Sequence, residues 1–380
     1  VKIALIRRRY TGSGGAERYV AQLAGALATA GHEVHLYAQR WTDPPPRVAL
    51  HRVPAVPGPG FLRILSFAWV ASRMAQRDRF DLIHSFDRVF RADIYRAGDG
   101  CHRAWLERRR AVEGHLLRWL DGVNPLHRSL LLLERRLLRP GGCRRVLANS
   151  HMVREEILRY YETPPGAVQV IYTGVDLRRF RPPRAPEERA ALRRGLPAGP
   201  RDPVLLFAGS GFERKGLRFL LQSLGGLRDI ASLRLWVLGK GNLESARRQA
   251  DRLGVSERVH FAGAVADPER WMAAADVFVL PTIYDPFSNA CLEAMACGLP
   301  LITTSANGAA EIVEEGSSGS ILEDPRDVKS LGDRIREFLR PESREERAAA
   351  ARTCAERFSV EGHVKDVLAL YEEALGGQPG

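Results

Sequence analysis

At 380 residues the chain is too long for one ordinary hydrophobic core and fits two domains. With 45% hydrophobic residues and no long low-complexity run it reads as globular, and five cysteines without CxxC spacing suggest neither a disulfide framework nor a zinc site, hence a reducing compartment. The formal charge of +12 is carried almost wholly by arginine, with only five lysines, so the total says less about partners than its distribution does.

The first apolar run, 1–6, is too short for a signal peptide, and no stretch approaches the length of a membrane span, so a cytoplasmic protein is expected. In the first half, 2–6, 34–38, 81–85, 145–149 and 168–172 read as buried strands, with helical patterns at 16–30, 62–77 and 150–161. A Pro-, Gly- and Arg-rich stretch, 174–203, reads as a linker. Beyond it the strands are 204–208, 233–238, 259–262, 277–280 and 299–303, and the helices 216–227, 243–253, 268–275, 288–297 and 309–315. Three helical patterns close the chain after Asp324. Such alternation predicts an α/β protein with two doubly wound, parallel, Rossmann-like sheets. Ligands of such sheets bind beyond the carboxyl ends of the strands, so the expected site is the cleft between the two domains.

The chemistry-bearing residues fall after strands. Gly14 and Gly15, in Gly12-Ser13-Gly14-Gly15-Ala16-Glu17-Arg18, allow close approach to a sugar or phosphate, or cap a helix in a tight turn. Asp99 lies between glycines in Ala97-Gly98-Asp99-Gly100, which suits a turn as well as a site, and His102 follows. Gly209-Ser210-Gly211-Phe212-Glu213-Arg214-Lys215-Gly216 puts two bases behind a Gly-rich turn; it is neither a Walker loop nor GxGxxG. Most informative is 281–300, PTIYDPFSNACLEAMACGLP. A helix starting near Ser288 turns the amides of Ser288, Asn289 and Ala290 toward one spot, an anion site. Asp285 stands before that spot and Glu293 beside it, so hydroxyls could be held on both sides of a phosphate. Asp285-Pro286 is equally a good N-cap and N1 pair. No D-x-D occurs, so Arg214, Lys215 and the helix N-terminus stand where a metal would hold a diphosphate.

From Cys101 to Arg145 eleven arginines face four acids, a net +7. Trp105, Val112, Leu116, Trp119 and Leu120 share one helical face, flanked by Arg108 and Arg109, with Arg110 next to them. A second helix would align Leu126, Leu130, Leu133 and Leu137. This reads as an interfacial helix pair docking on an anionic membrane; two ordinary helices packed on their own domain are the alternative.

Together these residues resemble family-4 retaining glycosyltransferases of the two-Rossmann-domain (GT-B) type, over essentially the whole chain. Gly14-Gly15-Ala16-Glu17-Arg18, Asn149-Ser150, Thr173-Gly174-Val175-Asp176 with Phe180, Arg214-Lys215-Gly216 and 285–300 carry the resemblance. Within the family, 37–41, 97–101 and 208–212 look most like the lipopolysaccharide-core enzymes that add glucose to heptose. The resemblance implies an acceptor-binding domain, 1–173, a nucleotide-sugar domain, 174–359, and a final helix, 360–380, packed back on the first. It also implies that Arg214 and Lys215 neutralise the departing nucleotide, the 288–290 amides face the diphosphate and Glu293 binds ribose, while Asp99 lies at the acceptor or reacting sugar. Asp285 would touch the donor sugar, although the family pattern has Glu at that place. Gly209 and Ser210 complete the donor-binding set. The expected activity is metal-independent transfer of a hexose, glucose from UDP-glucose, to a heptose of a lipid-linked core oligosaccharide at the cytoplasmic face of an anionic inner membrane, with no nucleic-acid partner. A GT-B epimerase or hydrolase, or a non-catalytic Arg-rich membrane- or nucleic-acid-binding module, are the alternatives.

Overall fold

The computed structural model describes residues 1–10, 15–41, 47–114 and 123–376. Contacts divide the chain into two compact units, 1–172 with 361–380, and 173–360.

The first unit is built on β1 (Lys2–Ile6), β3 (Glu33–Ala38), β5 (Val48–Arg52), β6 (Leu82–Ser85), β7 (Ile94–Arg96), β8 (Arg145–Ala148) and β9 (Val168–Val170). They form one parallel sheet in the order β5-β3-β1-β6-β7-β8-β9. A separate two-stranded ribbon pairs β2 (Arg9–Tyr10) with β4 (Arg40–Trp41). The helices are α1 (Gly15–Thr29), α2 (Gly60–Arg77), α3 (His102–Glu113), α4 (Pro125–Leu138) and α5 (His151–Tyr160). Ile3, Ala4, Leu5 and Ile6 are all fully buried, which is why the central strand is a continuous apolar run rather than an alternating one.

The second unit contains α6 (Pro186–Arg193), β10 (Val204–Ala208), α7 (Leu217–Gly225), β11 (Arg234–Leu238), α8 (Leu243–Arg252), β12 (Val259–Gly263), α9 (Pro268–Ala274), β13 (Val277–Leu280), α10 (Asn289–Ala296), β14 (Leu301–Thr304), β15 (Gly319–Leu322), α11 (Val328–Phe338) and α12 (Arg344–Glu356). Its sheet is parallel, in the order β12-β11-β10-β13-β14-β15. In both units the strand order reverses beside the first strand, at β1/β6 and at β10/β13. The connections there leave in opposite directions and open a crevice at the carboxyl ends. The last helix, α13 (Val360–Gly376), joins the core of the first unit: Val367, Leu370 and Tyr371 cluster with Leu23, Leu36 and Leu82.

Several expectations need correction. The stretch 174–203 is no open linker, because it contains α6, clamped to the second unit by Arg189 and Arg193 on Asp276. The helix expected at 309–315 is a 3-10 stretch, Gly308–Ile312, entered through an Asn307 side-chain cap. The Leu126–Leu137 stripe of the second basic helix cannot serve as a lipid anchor throughout. Leu133 and Leu137 are fully buried in the first unit, packed against residues of α2, β8 and α5, so this helix is amphipathic toward its own domain. Leu116, Trp119 and Leu120 lie outside the described residues.

Candidate functional site

The crevice at β10/β13 gathers the residues that the sequence singled out. After β10 the chain turns through Gly209–Gly211 and enters α7 at Gly216. Gly216 has φ +77°, and a Cβ there would stand 1.8 Å from the Pro281 carbonyl oxygen, so only glycine lets the two strand ends approach this closely. Gly239, after β11, is as constrained: φ is +110° and a Cβ would meet the Gly209 carbonyl oxygen at 2.0 Å. These contacts bring Arg214 and Lys215 against the loop that leaves β13.

Lys215 is buried, its alkyl chain lying along Gly209. Its ammonium donates to Asp285 Oδ2 and, at 3.1 Å, to Ser288 Oγ. Arg214 Nη1 donates to the Tyr284 carbonyl at 2.7 Å and to Asp285 Oδ2 at 3.4 Å, while the Arg214 carbonyl accepts from Ile283 N at 2.9 Å and Thr282 Oγ1 at 2.9 Å. Asp285 is 4% exposed. Burial works to raise its carboxyl, but the Lys215 and Arg214 charges outweigh burial and hold it below the ordinary carboxylate range. Asp285 is therefore not the cap of the next helix. That helix, α10, is entered at Ser288, whose hydroxyl faces Lys215 instead of capping.

Asn307 is a residue the sequence reading missed. It is 1% exposed and its Oδ1 accepts from Ser288 N at 3.3 Å and Ala309 N at 3.1 Å; its Nδ2 donates to Thr303 Oγ1 at 2.9 Å. Its neighbour Gly308 donates its N–H to the Asp285 carbonyl at 2.9 Å. Asn307-Gly308 after a strand was the available signal: a short polar side chain suited to capping.

Asn289 and Ala290, at the open end of α10, are half-buried, and as first-turn residues their amides have no acceptor within the helix. Glu293 stands one turn further on, half-buried. Ser210 is exposed at the rim. The arrangement can hold a polyanion: two cations, a helix N-terminus and glycine backbone are gathered at the same strand ends, with the Lys215 ammonium on the Ser288 hydroxyl that opens the helix.

Asp99 belongs to the first unit. It is exposed in the turn after β7, where Gly100 N donates to the Ala97 carbonyl at 3.0 Å. His102 opens α3; its amide donates to buried Glu134 at 2.9 Å and its Nε2 lies 3.1 Å from His127 Nδ1. Burial, followed by the Arg88 and His127 charges, pushes its imidazole down to about 3, a structural setting. Trp105 is half-buried, Arg108 pairs with Glu156 and Arg109 with Glu113, and Arg110 is half-buried. Gly15 opens α1, whereas Gly14 lies outside the described residues. Among the described residues no group of three or more His, Cys, Asp or Glu side chains could hold a metal, and no helix is long and apolar enough to cross a membrane.

Two doubly wound parallel sheets, with basic residues and a helix N-terminus at a switch point, define a GT-B-type protein. Family models for "Glycosyltransferase Family 4" and "Glycosyl transferases group 1" match residues 13–179 and 202–341. The lipopolysaccharide glucosyltransferase WaaG of Escherichia coli is 26% identical, covering 89% of each chain. A D-inositol 3-phosphate glycosyltransferase of Pseudarthrobacter chlorophenolicus is 30% identical over 82% of this chain and 79% of its own. The crystal structure of WaaG, described as involved in lipopolysaccharide biosynthesis, superposes with a TM-score of 0.86 at 24% identity, over 99% of this chain and 100% of the other. The chain belongs to the family-4, group 1 glycosyltransferases and is a transferase enzyme.

Proposed function

We propose that the chain transfers glucose from UDP-glucose to a heptose, or another sugar, of a lipid-linked core oligosaccharide of lipopolysaccharide, retaining the anomeric configuration and needing no metal. The observation that carries this reading is the convergence of Lys215 and Arg214 on Asp285, beside the N-terminus of α10. In this reading Lys215 and Arg214 neutralise the diphosphate and the open amides of Asn289 and Ala290 face it, whereas the Ser288 amide, expected to join them, is taken by Asn307 Oδ1; Gly209 and Ser210 let backbone approach the donor, and Glu293 takes the ribose hydroxyls. Asp285 keeps both cations aimed before the donor arrives and faces the donor sugar. Gly14 and Gly15 approach the donor, and Asp99 acts at the acceptor or the reacting sugar. Stabilisation of the leaving UDP by preorganised positive charge then supplies most of the rate. Trp105, Arg108, Arg109 and Arg110 on α3, with Trp119 beyond it, rest on an anionic cytoplasmic membrane surface.

The relation to the E. coli lipopolysaccharide glucosyltransferase supports the donor and acceptor. The relation to a D-inositol 3-phosphate glycosyltransferase supports a second reading, transfer to a phosphorylated cyclitol. A panel of UDP- and GDP-sugars separates them, read by thermal shift and then by transfer to truncated core lipid and to D-inositol 3-phosphate. UDP-glucose with core lipid, undiminished by a chelator, is the expected productive pair. Preference for a GDP-sugar or for the cyclitol overturns the proposal, and donor turnover with no acceptor present would make the protein an epimerase or hydrolase.

A further inference from the structure

The second unit carries another concavity, at the edge of its sheet opposite the Lys215–Asp285 cluster, with arginines set in a largely apolar wall. Pro203, Asp276 and Pro300 on its wall immediately precede β10, β13 and β14. Its volume is about 640 Å³, within the range of small-molecule sites. It shares no residue with the donor cluster. Six arginines line it, Arg184, Arg189, Arg193, Arg201, Arg344 and Arg347, against three carboxylates.

Three of these arginines converge on one acid. Asp276, whose side chain is 8% exposed, accepts from Arg189 Nη2 at 2.7 Å and from Arg193 Nη2 at 2.8 Å, and pairs with Arg344. Arg193 is fully engaged: Nε donates to the Ala274 carbonyl and Nη1 to the carbonyls of Gly199, Pro200 and Asp202. It ties α6 to the sheet. Arg189 and Arg344 differ. Each meets the protein through Nη2 alone, which leaves Nε and Nη1 of both without a protein acceptor among the described residues. Burial pushes the Arg189 guanidinium down to about 10 against the pull of Asp276, and the like charges of Arg344 and Arg193 add to the drop. A carboxylate shared by three guanidiniums leaves an excess of positive charge in a concave site, and planar forks with spare donors suit tetrahedral oxyanions.

We infer that this cleft is a second anion site, which takes a small soluble phosphorylated molecule, its phosphate on Arg189 and Arg344 and its body against the Pro182–Pro186 wall. Arg184 and Arg201, both exposed at the rim, attract the ligand.

The test uses the full chain, with inorganic phosphate and glucose 1-phosphate as probes and chloride at matched ionic strength as reference, read by thermal shift and calorimetry. Phosphate binding should be saturable in Lys215→Ala, which disables the donor cluster, and in wild type already saturated with UDP. Arg344→Gln, at a side chain 46% exposed and therefore tolerated by the fold, should weaken phosphate binding at least tenfold and leave the UDP shift unchanged. Arg344→Lys, which keeps charge but loses the fork, should fall between. Loss of the phosphate effect in Lys215→Ala and under saturating UDP, its survival in Arg344→Gln, or an equal response to chloride would each overturn the inference.

Discussion

Seventy positions separate Lys215 from Asp285, and nothing in either neighbourhood names the other; the pairing follows from β10 and β13 being adjacent strands. Each residue was legible alone, as a base after a Gly turn and an acid before a helix, but their ion pair is a product of topology. Lys215→Ala removes the ammonium that compensates a buried carboxylate. Transfer should fall on the order of 10²–10³ if the charge meets the leaving group, and the fold should lose about 1–3 kcal/mol, since the buried Asp285 carboxylate keeps only its longer contact to Arg214. Asp285→Ala should lose stability similarly but keep more of its UDP affinity, because both cations stay. Equal loss of UDP affinity in the two variants, measured by titration, would mean that Asp285 acts on the nucleotide only by holding the two cations in place and does not distinguish the donor sugar. The depressed Asp285 pKa has a definite sign. Its stabilisation is present above the ordinary carboxylate pKa and is lost as pH falls through the lower folded value, so this ion-pair cluster should persist to more acid pH than an ordinary carboxylate would allow.

Helix α4 shows why a periodicity read from sequence needs the partner surface. Its leucine spacing marks an apolar face but not what covers that face. Leu133 and Leu137 are fully buried in the first unit, while Leu132, on the other side, is 55% exposed among Arg128, Arg135 and Arg136. Leu133→Ala should therefore cost about 2–5 kcal/mol by leaving a cavity, whereas Leu132→Ala should change stability by less than about 0.5 kcal/mol. Urea midpoints decide: similar small effects from both would return α4 to the membrane reading. The same limit explains which strands were legible. β1, β10 and β13 are buried on both faces and appear as unbroken apolar runs. β5 is a half-exposed edge strand ending in His51 and Arg52, β7 has three residues and ends in a buried arginine, and β15 begins Gly-Ser. Their burial comes from neighbours, not from composition. Within 174–203 the prolines and arginines looked like linker because the contacts that tie Arg193 to the sheet, at Ala274 and Asp276, lie 81 and 83 positions further on.

The chain begins the first unit and returns to finish it, since α13 supplies polar as well as apolar contacts to a core whose other members precede residue 173. His363 Nδ1–H donates to the Tyr172 carbonyl at 2.6 Å, which leaves Nε2 to accept from the Tyr19 hydroxyl at 2.9 Å. His84, on β6, is fully buried with Nδ1 2.6 Å from the Tyr371 hydroxyl. Both imidazoles are locked neutral. Burial and then the Arg96 charge push His363 down to about 4, with the Tyr172 carbonyl pulling the other way, and burial, Arg96 and His363 push His84 down to about 3. A histidine pKa lowered by folding contributes stability that is complete above about pH 6.5 and is lost as pH falls toward the folded value. For His363 that loss, between about pH 6.5 and about 4, is on the order of 3 kcal/mol. His363→Gln keeps a donor for Tyr172 and an acceptor for Tyr19 but cannot take up a proton. Its urea midpoint, followed by tyrosine and tryptophan emission, should fall less steeply from pH 7 to pH 5 than that of the wild type. Parallel slopes would mean that the closing helix is held by its apolar face alone and that acid acts elsewhere.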